Sequence, residues 1–192
     1  MTDNIMKYFL LLFTILFLTT GCSPNEREEA QQEQRQQQLQ SQFIQSTSAF
    51  DGQLADLLEQ YFELKDALVD TDAESAAEQS ESLHQFLNDI DPAGLSSETL
   101  TIWETYSRSL TDESIRIANE KDIEEQRLYF ETLSEAMIDL VKTFRPVRYT
   151  VYHQSCPMVR GGSADWLSRE EEIANPYHGD RMMRCGEIIE RI

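Results

Sequence analysis

The sequence predicts an all-α protein: an up-down-up-down four-helix bundle with an irregular C-terminal tail rich in Cys and Met. Three observations carry that expectation. Between residues 46 and 145, apolar side chains recur at three- and four-residue spacing in four successive stretches, which sets each group on one stripe of a helix. The stretches are separated by only a few residues, and connections that short make neighbouring helices antiparallel. No period-two alternation competes with them before Pro146.

The first element, residues 1–21, reads as a lipoprotein signal peptide. Lys7 precedes an apolar run from Tyr8 to Leu18, which ends in Thr19-Thr20-Gly21-Cys22. The run is too short to span a bilayer, and a small residue before Cys fits a lipoprotein cleavage box. Acylation of Cys22 would hold the mature chain to the membrane by its acyl chains. Residues 22–45 form a Gln-rich tether, with Gln31-Gln32-Glu33-Gln34-Arg35-Gln36 at its centre. That composition buries too little apolar surface to fold alone, so it is expected to act as a spacer.

The bundle follows over residues 46–145. Its first helix carries Phe50, Leu54, Leu57, Leu58, Tyr61, Leu64 and Leu68. A capping box of Thr71 and Glu74 is expected to open the second, whose stripe includes Ala76, Leu83, Leu87 and Ile90. Asp91-Pro92-Ala93-Gly94 breaks it. The third runs from about Ser97 through Trp103, Tyr106 and Leu110 to about Ala118. The fourth runs from Asp122 through Phe130, Met137 and Phe144 until Arg145-Pro146 stops it. His84, on the second helix, reads as a packed or solvated histidine.

Charge narrows the function. The chain holds 35 acidic residues against 16 Lys and Arg, a net charge of −19. Phosphate contacts need surplus basic residues, so a nucleic-acid partner is excluded. The imbalance belongs to the bundle, because residues 145–192 carry seven charges of each sign. No P-loop, Gly-x-Ser-x-Gly, His-Glu-x-x-His or dinucleotide fingerprint is present, and an enzyme is not expected.

The tail, residues 146–192, holds the informative chemistry. Val147 to Tyr152 has the composition of a short strand, but beyond it Gly, Pro and Asn are frequent, and an irregular segment packed on the bundle is expected. Cys156 and Met158 form one sulfur-bearing knot, Met182, Met183 and Cys185 another, with His153 and His178 nearby in sequence. With Cys22 taken by lipid, Cys156 and Cys185 are the remaining thiols. A disulfide between them would close a loop of about 30 residues, worth roughly 3–4 kcal/mol in the chain-entropy model. Thiolate, thioether and imidazole together suit Cu(I) best, with Ag(I) by analogy and Zn(II) less well. A thiol redox enzyme would need a Cys-x-x-Cys pair, which the chain lacks. On spacing alone the disulfide and the metal site both stand.

The stretches His153-Gln-Ser-Cys-Pro-Met158, Asp165-Trp-Leu-Ser168, Ile173-Ala-Asn-Pro-Tyr-His-Gly179 and Met182-Met-Arg-Cys-Gly186 closely resemble the signature of the domain of unknown function 3347. Tyr61 to Ala73 and Gln126 to Ser134 resemble that family's helix patterns, so the likeness covers roughly residues 50 to 188. Such domains occur in bacterial lipoproteins and at the C-terminus of membrane-fusion subunits of copper and silver efflux pumps. The resemblance implies a helical bundle with a metal-linked tail, lipid-anchored in the cell envelope and facing the periplasm or associated with the outer membrane. It implies a Cu(I) site of Cys156, Met158, Met182 and Cys185, and envelope metal-efflux components as partners; His153, where the sequence departs from the family's pattern, is a further candidate ligand from its place beside the first sulfur knot. The reading from another class is an envelope interaction module with a structural Cys156–Cys185 disulfide and no metal.

Overall fold

A computed structural model describes residues 46–159 and 162–192. The leader, Cys22 and the Gln-rich tether therefore lie outside the described residues. Four helices come first: α1 (Ser48–Val69), α2 (Ala73–Asp89), α3 (Ser97–Asn119) and α4 (Ile123–Phe144).

Each helix begins where a short polar side chain can accept from the free N–H groups of the first turn. Thr47 accepts from the Phe50 amide, Asp72 from Ser75, Ser96 from Thr99, and Asp122 from both Glu124 and Glu125. The cap of α2 is thus Asp72, one residue beyond the expected capping box. Thr71 takes a left-handed backbone (φ 59°) and turns its hydroxyl to Arg127 instead. α4 ends at Arg145, also left-handed (φ 47°), directly before Pro146.

The helices run up, down, up and down. The start of α1 meets the end of α2 through Gln53 and Asp91, and Ser80 of α2 donates to the Ser114 carbonyl of α3. The Tyr106 and Thr143 hydroxyls join α3 to α4. The ring pairs Phe50–Phe144 (5.6 Å) and Tyr61–Phe130 (5.4 Å) close α4 onto α1 in antiparallel sense. The apolar stripes meet in one core, in which Leu54, Leu57, Leu83, Leu110, Phe130 and Leu133 are fully buried.

The all-α expectation is corrected beyond Pro146. The C-terminal segment is a three-stranded antiparallel sheet, β1 (Tyr152–Val159), β2 (Gly162–Ser168) and β3 (Glu187–Arg191), in the order β2-β1-β3. A short 3-10 turn, Gly179–Arg181, lies between β2 and β3. Frequent Gly, Pro and Asn rule out a long helix but tolerate short strands, provided that they fall at turns and bulges. Pro157 does: β3 pairs only with Tyr152 to Ser155, and the β1–β2 register shifts between Cys156 and Val159. The missing proline N–H therefore costs no ladder hydrogen bond from β3.

The sheet joins the bundle core. The Leu167 amide donates to the Tyr61 hydroxyl at 3.1 Å, and that hydroxyl also pairs with Ser134 at 2.8 Å. Burial pushes the Tyr61 phenol well above its ordinary range, so it stays neutral and keeps both partners.

Candidate functional site

Strand pairing decides which side chains of β1 can act together. Successive residues of a strand point to opposite faces, so His153 sits opposite Leu167 on one face, while Gln154 and Cys156 sit with Trp166 and Ala164 on the other. The first face looks onto α4. The second lies beneath the returning chain, where Gln154 donates to the Glu170 carbonyl at 3.0 Å.

Cys156 is completely buried on that second face. Cys185 reaches it from a tight turn, closed by the Cys185 amide donating to the Met182 carbonyl at 2.9 Å. Gly186 makes the approach possible. At φ 151°, a Cβ there would lie 2.9 Å from both the Ser155 carbonyl oxygen and the Trp166 ring, so only glycine lets the turn lie flush on β1. Asn175, also fully buried, fixes the turn from its other side. Its side-chain amide donates to the Cys185 carbonyl (2.8 Å), its backbone N–H donates to the Met183 carbonyl, and its side-chain oxygen accepts from the Tyr177 and His178 amides.

The result is a pair of free thiols whose sulfurs are 2.9 Å apart. A disulfide needs about 2.05 Å. Two thiolates on one tetrahedral ion, each ~2.3 Å from it, would stand roughly 3.8 Å apart. The observed separation is about midway, so a shift of under about 1 Å reaches either state. The hydrogen bond with Cys156, then burial, push the Cys185 thiol above its ordinary range, and either sulfur can serve as donor in the contact.

The other expected ligands fall differently. Met182 shares the turn with Cys185 and is half-buried. Met158, past the β1 bulge, is 62% exposed and lines a cleft of about 280 Å³ with Glu124, Arg127, Tyr177 and His178. The His178 ring pairs with the Met158 carbonyl at 3.1 Å. His153 lies on the face away from the thiols, with Nε2 2.8 Å from Asp165 Oδ2 and Nδ1 3.3 Å from Lys142 Nζ. Lys142 in turn meets Glu190 of β3 at 2.9 Å, so this cluster ties the sheet to α4. Among the described residues, no three His, Cys, Asp or Glu side chains are grouped to hold a metal ion. A soft ion here would rest on two sulfurs, completed by thioether or solvent.

Two supporting residues are not apparent from composition. Arg127 is buried in α4 and bridges the Pro176 carbonyl, the Leu68 carbonyl, the Thr71 hydroxyl and Glu124. Asn175 belongs to an Asn-Pro dipeptide, a turn signal whose buried amide only the fold reveals.

In comparisons with known proteins, no curated protein and no solved structure matches the chain. A family model described as "Protein of unknown function (DUF3347)" matches residues 57–148. That span is shorter than the resemblance drawn from the sequence and stops before β1, leaving the thiol pair outside the matched region. The match runs from within α1 to just beyond α4, so the helical part of this chain is what resembles the DUF3347 family.

Proposed function

We propose that this chain is a non-enzymatic, lipid-anchored envelope protein that binds or buffers Cu(I), with Ag(I) as a second cargo, in copper and silver handling or efflux. The observation that carries the reading is the approach of Cys156 and Cys185 to 2.9 Å from opposite ends of the sheet segment. Paired thiolates are soft donors that select Cu(I), and thioether from Met158 or Met182 would match that softness. Binding requires both thiols to lose their protons, so uptake weakens as pH falls. The acylated Cys22 and the Gln-rich spacer would set the site's distance from the membrane.

The test is a titration of reduced protein with Cu(I) against a chromophoric chelator. About one equivalent should be retained, and Cys156→Ser or Cys185→Ser should weaken binding by more than ~100-fold, beyond the cost of losing an outer-shell partner. Met158→Leu should weaken it less, because that side chain faces solvent. Unchanged affinity in both cysteine variants would remove the copper reading.

The exposure of Met158 favours one second reading. Two sulfurs without a third ligand suffice for a crosslink, and the protein would then be an envelope interaction module with a structural disulfide. Thiol titration of freshly exported protein separates the two, since the second reading requires no free thiol.

A further inference from the structure

The two sulfurs differ in access. Cys156 is fully buried within the sheet, whereas Cys185, on the turn between exposed Arg184 and exposed Glu187, is partly open to solvent. They stand 2.9 Å apart, and the backbone around Cys185 is anchored by Asn175 and by the glycine that follows it. Thiol–disulfide exchange requires approach to one particular sulfur, with the second sulfur placed to leave or to resolve.

We propose that Cys156 and Cys185 form an exchange-competent redox pair whose partner is an external dithiol reductant, with Cys185 the sulfur it attacks and Cys156 the shielded leaving group. This extends the proposed function and rests on that reading for the need to keep the pair reduced, while the exchange itself requires no copper. In the oxidised chain, a thiolate of the reductant attacks Cys185 Sγ. The Cys156–Cys185 bond breaks, its electron pair leaves on Cys156 Sγ, and a mixed disulfide joins the reductant to Cys185. The reductant's second thiolate then attacks its own sulfur in that mixed disulfide and releases Cys185. The external dithiol ends as a disulfide, the protein gains two electrons, and each released thiolate takes a proton from water. The chain is thus the substrate of a reductant rather than a redox enzyme, in keeping with its lack of a Cys-x-x-Cys pair.

The experiment uses the full chain and a peptide map by mass spectrometry, which reads each cysteine separately. Reduced protein is alkylated briefly with iodoacetamide, and oxidised protein is treated with glutathione and quenched in acid. Cys185, the sulfur that solvent reaches, should be alkylated at least ~10-fold faster than buried Cys156 and should carry the glutathione adduct. With glutathione disulfide, Cys156→Ser should accumulate a stable adduct on Cys185, while folded Cys185→Ser should leave Cys156 unmodified. Adducts mainly on Cys156, equal alkylation rates, or failure of the wild-type pair to oxidise would each overturn the proposal. The Cu(I) competition is run on the same reduced protein: lost copper binding with intact exchange defeats only the function, and the reverse result defeats only the exchange.

Discussion

Arg127 shows how one residue can hold the sheet segment to the bundle. Its guanidinium reaches the Pro176 carbonyl (2.8 Å), the Leu68 carbonyl (2.9 Å), the Thr71 hydroxyl (3.0 Å) and the Glu124 carboxylate (2.7 Å). The side chain is only 4% exposed. A planar fork with five donors can meet partners in several directions at once, which a lysine ammonium cannot do. Arg127→Lys is therefore expected to destabilise the protein by ~3–4 kcal/mol, within the range for breaking a buried charged contact. Arg116, 58% exposed with one ion pair to Glu113, serves as the control, and Arg116→Lys should change stability by under about 0.5 kcal/mol. Urea unfolding of both variants checks this. Equal, small effects would show that the buried fork does not matter to stability. Because Pro176 follows Asn175, which holds the Cys185 turn, loosening Arg127 should also loosen the thiol pair.

At the scale of elements, the turn before β3 depends on Gly186. Gly186→Ala would press a methyl against the Ser155 carbonyl and the Trp166 ring at a backbone conformation that L residues avoid. A loss of about 1–3 kcal/mol is expected, together with slower disulfide formation as Cys185 lifts from Cys156. Urea titration of the reduced variant and timed oxidation measure the two effects, and wild-type values for both would show that the turn is not pressed against β1. The same region shows where sequence reasoning runs out. The helices were legible because Leu54, Leu57, Leu58 and their counterparts repeat at helical spacing, and because short polar residues stand at each start. Thr71 misled because its oxygen serves Arg127, a contact made 56 positions away. The strands were hidden because four consecutive β1 residues, His153 to Cys156, are buried although three of them are polar, so no apolar–polar alternation marks the strand, while Pro157 sits in it at a bulge. Cysteine spacing made a Cys156–Cys185 pairing legible. It could not assign His153 and Met158, because proximity in sequence says nothing about sidedness. Pleating turns His153 to α4, and the register shift leaves Met158 in solvent.

At the scale of the molecule, the bundle and the sheet belong to one compact unit. They share buried contacts at Tyr61 with Leu167, at Phe130 with Tyr177, and at Arg127 with Pro176. A crosslink in the sheet should therefore stabilise the bundle as well. Cys156 and Cys185 are 29 positions apart, and closing a loop of that length removes enough freedom from the unfolded chain to contribute ~3.6 kcal/mol. For a chain of this size, that corresponds to a rise in Tm of about 7–14 °C. The sign follows from the closed loop acting on the unfolded state, while the folded state needs only a shift of under about 1 Å at the sulfurs. Calorimetry of oxidised and reduced protein should show one transition in each, with the oxidised form melting higher. Two separate transitions, with only the smaller moving on reduction, would mean that the sheet folds apart from the helices. In that case the redox state of the pair could not be felt by the helical bundle. A single transition that moves as a whole would instead make the bundle's stability a readout of whether the two sulfurs are joined.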